Sequence, residues 1–213
     1  MFADRKDAGL QLAQALFDFH DQPNVIILSL PRGGVPVAYE VVVKLHLPLD
    51  VLLVRKLGIP HNEETAMGAI AMDGVCVMNE DLIKRLNISH DEIIAVIQKE
   101  QQEINERNKI YHEHRPKIVL DKQVVILVDD GMATGATMKV AVKALKEKGI
   151  ERIIIAVPVC SDSARDELQK EVEKVVAVLV PPDLSSVGEW YENFTQTSHE
   201  EVKELLKKSL QEM

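Results

Sequence analysis

Five short segments of the chain are apolar at nearly every position: Val25-Ile26-Ile27-Leu28-Ser29-Leu30, Val51-Leu52-Leu53-Val54, residues 124–128, residues 152–157 and residues 175–180. Runs rich in β-branched residues that do not alternate with polar ones predict strands buried on both faces, the condition of a parallel sheet covered by helices. Between them the apolar positions recur at helical spacing. One helix is predicted to open at Pro36, where the missing N–H costs little. A second spans residues 135–148 and closes at Gly149, and a third spans residues 163–170. The alternation predicts an α/β fold, a doubly wound and mostly parallel sheet with a Rossmann-like core.

Three stretches depart from that alternation. Residues 67–72 and 75–78 flank Asp73-Gly74, a dipeptide suited to a type I′ turn, and predict a hairpin. A long helix is predicted over residues 89–114. It starts at a capping box of Ser89 and Glu92, ends before Pro116, and at 1.5 Å per residue spans roughly 35–40 Å. Its apolar face carries Ile93, Ile94, Ile97 and Ile104, with Glu100, Glu103, Arg107 and Lys109 expected outward. A last helix begins near Ser198, with Glu201 completing a second capping box. No internal repeat is visible. The expected organisation is one domain over residues 1–213, with a core of about 22–180 and a small hood and C-terminal helix over 181–213.

Composition narrows the class. Of 213 residues, 46% are apolar and 28% charged, which excludes a fibrous or disordered chain. A net charge of −9 opposes nonspecific nucleic-acid binding. No apolar run reaches the about 20 residues of a membrane helix, and the first residues lack the layout of a signal peptide, so no membrane partner and a cytoplasmic location are expected. Cys76 and Cys160 form no CxxC pair and read as buried thiols.

The strongest chemical signal is Val124-Val125-Ile126-Leu127-Val128-Asp129-Asp130-Gly131-Met132-Ala133-Thr134-Gly135-Ala136-Thr137. A buried strand delivers two adjacent carboxylates at its carboxyl end, and a Gly/Thr turn then opens a helix, where open α/β sheets bind ligands. Backbone N–H groups at the helix start, with the hydroxyls of Thr134 and Thr137, suit a phosphate monoester. Asp129 and Asp130 repel phosphate, but they can accept hydrogen bonds from vicinal hydroxyls or hold a divalent cation through water. A phosphate cup beside a diol grip describes a ribose 5-phosphate. No Lys follows Gly135 and no GxGxxG is present, so neither a Walker loop nor a dinucleotide fingerprint fits.

This segment resembles the PRPP-binding motif of the type I phosphoribosyltransferases, and the resemblance extends over most of the chain. It is greatest to a stand-alone bacterial branch whose base substrate is undefined. Residues 30–38, with Arg32, Gly33 and Gly34, resemble the family's pyrophosphate loop, in which one peptide is often cis. Residues 54–58, with Arg55 and Lys56, resemble the start of its mobile catalytic loop. The residues agree: the Arg32-Gly33-Gly34 turn joins a strand to a helix and offers free N–H groups plus one cation, while Arg55-Lys56 reads as an unpaired basic couple at a strand end, suited to a polyanion. Residues 58–66 have the polarity and the Gly and Pro of a lid, with Glu63 or Glu64 as the carboxylate that a closing loop could supply as general base. His112 and His114 do not share a helix face, so a metal site there is unfavourable, and the remaining histidines show no pattern.

One departure bears on substrate. The 6-oxopurine enzymes of the family carry a further Asp before the Thr-Gly, and here that position is Ala133, which disfavours hypoxanthine or guanine. After the last strand, residues 181–194 hold three aromatics within five positions. In the family such a segment hoods the base, which makes Val187, Trp190 and Tyr191 candidates for packing on a heterocycle. The resemblance implies Mg²⁺-dependent transfer of the 5-phosphoribosyl group of PRPP to a nitrogen nucleophile, a nucleobase-like acceptor, with release of pyrophosphate by a homo-oligomer such as a dimer. Asp129 and Asp130 would carry the ribose and the metal, residues 131–137 the 5-phosphate, and Arg32–Gly34 with Arg55 and Lys56 the diphosphate. A PRPP-sensing regulator and a ribosyl-phosphate hydrolase are the alternatives on the same fold.

Overall fold

The computed structural model describes residues 1–72, 74–113, 119–120 and 122–211; the side chains of Glu63 and Glu64 also lie outside that description. In chain order the strands are β1 (Val25–Ser29), β2 (Leu49–Val51), β3 (Val54–Ile59), β4 (Asn62–Ala71), β5 (Cys76–Met78), β6 (Val124–Val128), β7 (Arg152–Val159) and β8 (Lys174–Leu179). The α-helices are α1 (Arg5–Ala15), α2 (Gly34–Leu45), α3 (Glu80–Leu86), α4 (His90–Tyr111), α5 (Ala136–Glu147), α6 (Asp162–Leu168) and α7 (His199–Ser209). No described helix is long and apolar enough to cross a membrane. The chain divides into two compact units, one of residues Met1–Val51, Lys117–Gly135 and Gly149–Met213, the other of Leu52–Pro116 and Ala136–Lys148.

The first unit holds a five-stranded parallel sheet of order β2-β1-β6-β7-β8. β1 and β6 are buried at every position, as the apolar runs of residues 25–28 and 124–128 require, with Ser29 the one polar residue buried in them. Val25 pairs with Val124 and Ser29 with Val128, so the two strands end level. After β1 the chain turns to β2 on one side, whereas β6 lies on the other. The segments leaving β1 and β6 therefore emerge together at the point where strand order reverses, where such sheets form a ligand crevice. α2 buries Val35, Val37, Ala38, Val41, Val42 and Leu45.

The second unit is an antiparallel sheet of order β3-β4-β5. Ala69 and Ala71 of β4 join Val140 and Ala144 of α5 in one buried cluster. The expected hairpin is present as β4 and β5, and Gly74, at φ 81°, returns its N–H to Ala71 O at 2.9 Å; Asp73 lies outside the described residues. The capping box of α4 is also as expected: Ser89 Oγ accepts from Glu92 N, and the Glu92 carboxylate accepts from Ser89 N at 2.9 Å.

Three expectations need correction. Residues 51–54 are not one strand, because Val51 ends β2 in the parallel sheet and Val54 begins β3 in the antiparallel one. Residues 58–66, expected as an irregular lid, mostly belong to the β3–β4 hairpin, whose register shifts at Gly58; backbone pairing does not need apolar side chains, so a polar composition concealed it. Glu100 points inward. It is 7% exposed and accepts from Arg55 Nε at 2.7 Å, while Ile94 on the expected apolar face is 37% exposed. Helical spacing from Ile97 to Ile104 passes through position 100, so this acid sits on the packed stripe and needs a cation there. The end of α4 falls at Tyr111, and His114 and Pro116 lie outside the described residues.

Candidate functional site

In the first unit, β6 ends at Val128 and hands over directly to Asp129 and Asp130. The neighbouring strand β1 ends at Ser29, with Leu30 N donating to Val128 O at 2.9 Å, and the Pro31-Arg32-Gly33 turn follows. The Pro31–Arg32 peptide is cis, as the resemblance implied. The turn lies tight against the carboxylates. A Cβ at Gly33 would stand 2.0 Å from Asp130 Oδ2, and one at Gly34 would stand 2.9 Å from the Asp129 Cα. Only glycine allows that approach.

Asp130 is held by a residue the sequence reading did not single out. Arg5, in the first turn of α1, places Nε and Nη2 each 2.8 Å from Asp130 Oδ2 and donates from Nη1 to Thr195 O at 2.7 Å. Its guanidinium lies 3.9 Å over the Phe194 ring. The two side chains of this pair are 11% and 15% exposed. Asp129 Oδ1 accepts the Asp130 N–H at 2.9 Å. Among the described residues, Asp129 Oδ2 and Asp130 Oδ1 accept no hydrogen bond, so each keeps a vacant acceptor.

Electrostatics follow from this crowding. Burial, then the charge of Asp130, pushes the Asp129 carboxyl well above the usual carboxylate range. Asp130 is also raised by burial, with Arg5 opposing. Two adjacent half-buried carboxylates are poorly compensated by one arginine, and a hydroxyl donor or a cation would relieve them.

The turn after Asp130 is fixed from below. Met132 N donates to Val159 O at 2.8 Å and Ser161 Oγ donates to Ala133 O at 2.6 Å, tying residues 131–133 to the end of β7. Gly135, at φ 68°, then turns the chain into α5, and Thr134 and Ala136 are exposed around it. Gly131 faces Val187, whose Cγ1 would stand 2.4 Å from an added Cβ.

Of the three expected hood residues, Val187 and Trp190 are partly exposed, but Tyr191 is only 5% exposed. The Tyr191 hydroxyl donates to Asp130 O at 2.5 Å, and its ring packs between Phe2 and Phe194 at centroid distances of 5.3 and 4.9 Å. Burial and the nearby Asp130 charge push its phenol upward. Its ring is thus used inside the unit, anchoring Asp130 from the backbone side, and it is not an open stacking platform. Phe2 is part of the same assembly, donating from N to Trp190 O at 2.8 Å and accepting from Glu192 N at 2.8 Å.

In the second unit, Arg55 is not the unpaired cation expected, since Glu100 engages it. Lys56 is exposed and, with Lys139, Asn79 and Ala136, lines a cavity of about 260 Å³. The Glu64 side chain, the candidate general base, lies outside the described residues. Ala136 and Thr137 open α5. Arg5 escaped the sequence reading, and Glu100 was expected outward. The first sits 125 residues from its partner, which no local pattern reveals, whereas the helical register could have exposed the second.

Residues 61–201 match the family model described as a phosphoribosyl transferase domain. A Mycobacterium tuberculosis protein, provisionally named a phosphoribosyl transferase and found in two strains, is 42% identical over 202 residues, covering 95% of this chain. The chain spans 45% of the length of that curated relative. A solved structure from Thermus thermophilus shares 37% identity over 97% of this chain and 98% of its own, with a TM-score of 0.81. An Aquifex aeolicus structure at 12% identity covers 86% of this chain and 76% of its own with a TM-score of 0.53, a likeness of fold alone.

Proposed function

The chain belongs to the phosphoribosyltransferase family, and from that premise we propose that it transfers the 5-phosphoribosyl group of PRPP to a nitrogen nucleophile with release of pyrophosphate. The observation that carries this reading is the pair of vacant carboxylate oxygens, on Asp129 and Asp130, at the edge where β1 and β6 end. Two acceptors on adjacent residues suit the vicinal 2- and 3-hydroxyls of ribose, and Gly131 to Thr137 would hold the 5-phosphate.

In this reaction the nitrogen lone pair forms a bond to C1, the bond from C1 to the diphosphate oxygen breaks, and its electron pair leaves with pyrophosphate. The nitrogen proton is lost to base or solvent. Positive charge builds on the ribosyl carbon and negative charge on the leaving group, so fixed charges aimed at both lower the barrier. Asp129 and Asp130 face the ribosyl side in this assignment. The cation of the Arg32-Gly33-Gly34 turn and the N–H groups of Arg32 and Gly33 would serve the diphosphate, whereas the Gly34 N–H, expected free, donates to Leu30 O at 3.2 Å; exposed Lys56 is a further candidate cation, and Arg55 is held by Glu100. Val187 and Trp190 are the candidates to pack on a nucleobase-like acceptor, whereas Tyr191 anchors Asp130.

Mg²⁺ fits the same residues, because burial and repulsion leave Asp129 and Asp130 with their charge insufficiently balanced by Arg5. When bound with PRPP it would supply neutralisation of the diphosphate, with Asp129 and Asp130 holding it through water.

The test is pyrophosphate release from PRPP and Mg²⁺ across purines, pyrimidines and simple amines, with the product identified by mass. Acceptor-dependent release, abolished in Asp129→Asn/Asp130→Asn without loss of fold, is the expected result. Release without an acceptor would mark a hydrolase, and PRPP binding without release would mark a sensor; either outcome overturns transfer.

A further inference from the structure

A second group of chemically competent side chains lies at the opposite end of α2 from the Arg32-Gly33-Gly34 turn. The 3-10 turn Phe17–Phe19 runs into His20 and Asp21, and α2 ends at His46. Asp21 N donates to Leu45 O at 2.9 Å, which ties the two segments together. Asp21 and His46 both have left-handed backbone, at φ 56° and 53°, a conformation in which Asp and His are over-represented. The Asp21 carboxylate sits between two imidazoles. His20 Nδ1 is 2.8 Å from its Oδ2, and His46 Nδ1 is 3.0 Å from its Oδ1. One donor atom from each of the three side chains lies within 4.8 Å of the others. Phe17 braces the His20 ring at a centroid distance of 5.3 Å.

We propose that His20, Asp21 and His46 bind one first-row transition-metal ion of the zinc class, separate from the PRPP site. Donors around a tetrahedral zinc, with bonds of about 2.0–2.2 Å, stand about 3.3 Å apart. The two N···O separations of 2.8 and 3.0 Å, one to each oxygen of Asp21, have to open by a few tenths of an ångström, and side-chain rotation has to draw in the rest of a donor set whose members lie within 4.8 Å of one another. Two imidazoles and one carboxylate select zinc, cobalt or nickel over Mg²⁺, which prefers an all-oxygen octahedron. The donors are already gathered. His46 is 25 residues from Asp21, and the backbone bond between Asp21 and Leu45 has closed that loop before any metal arrives, which lowers the entropy cost of chelation. The side chains of His20, Asp21 and His46 are 31%, 61% and 56% exposed, so an ion can enter and a fourth position is left for water. A bound ion would clip the segment after α1 to the end of α2, and it would stabilise the folded form in proportion to occupancy.

Chelator-treated protein is titrated with zinc chloride by calorimetry and in parallel melting curves. One equivalent should bind and raise the melting temperature to a plateau. His20→Ala, Asp21→Asn and His46→Asn should each weaken binding by about tenfold or more. His46→Asn preserves a residue that accepts left-handed φ, so the fold is kept. Asp129→Asn/Asp130→Asn and Cys76→Ser/Cys160→Ser should leave the titration unchanged. No binding by the unaltered protein, or binding that survives His46→Asn and His20→Ala undiminished, overturns the assignment.

Discussion

Replacing Arg5 by Ala removes three hydrogen-bond donors and one ring contact at a single stroke, and the structure gives the size of the loss. Asp130 Oδ2 loses two N–H partners at 2.8 Å, Thr195 O loses one at 2.7 Å, and Phe194 loses the guanidinium over its face. Breaking a buried ion pair from one side costs about 3–5 kcal/mol, because a desolvated charge is left behind. Here the side chains are 11% and 15% exposed and Asp130 can take up a proton, so the expected loss is at the lower end, about 3 kcal/mol. That is a large share of a typical stability of about 5–15 kcal/mol. The sign of the pH dependence follows from Asp130, whose carboxyl is already raised by burial and rises further without Arg5. The native state then binds more protons than the unfolded state, so the variant loses stability as pH rises through that range and regains it on acidification. Urea unfolding of wild type, Arg5→Ala, Asp130→Asn and the double variant closes a cycle, and the coupling should be about 2 kcal/mol. Arg5→Lys should recover only part of the loss, since an ammonium cannot reproduce the forked contacts. Additive effects in the cycle, or a penalty on Arg5→Ala that is the same at pH 5 and pH 8, would refute the reasoning.

Gly33→Ala should reduce pyrophosphate release by about 100-fold or more while the fold survives, because its Cβ would stand 2.0 Å from Asp130 Oδ2 and displace that carboxylate; wild-type turnover in this variant would show that the carboxylate position is immaterial. Burial pushes the Cys160 thiol up to about 11, so it should resist a thiol-specific reagent at pH 8 until the protein is unfolded. Mass spectrometry of the modified peptide reads that directly, and native-state labelling of Cys160 would contradict it.

The parallel sheet was legible in the sequence because a strand buried on both faces is apolar along its length, and residues 25–28, 124–128 and 153–157 meet that condition. Helix starts at Ser89 and Ser198 were legible for a local reason: both caps use atoms three residues apart. Legibility failed where pairing is set by backbone or by distant partners. The β3–β4 hairpin contains Gly58, Pro60 and several polar residues, a composition that reads as loop, although its ladder consists of main-chain bonds. In the candidate site, the acidic pair and its Gly/Thr turn stood out as a motif, but Arg5 is brought to Asp130 by tertiary folding alone. Tyr191 was legible as an aromatic near the hood and misread in its use, because sequence does not reveal which end of a tyrosine is buried. Glu100 was misread by assuming that charge means exposure.

The weave of Phe2 and Arg5 with residues 190–195 bears on how the protein is made. Those partners are far apart in the chain, 190 positions in the case of Arg5 and Thr195, so a ribosome emits one long before the other exists. While residues 131–190 are being translated, Arg5 and Asp130 already exist, but the tyrosine anchor of Asp130 and the Thr195 and Phe194 contacts that hold Arg5 do not. These last contacts therefore form only after synthesis has passed residue 195, and a chain cut short before residue 190 would carry the acidic motif without them.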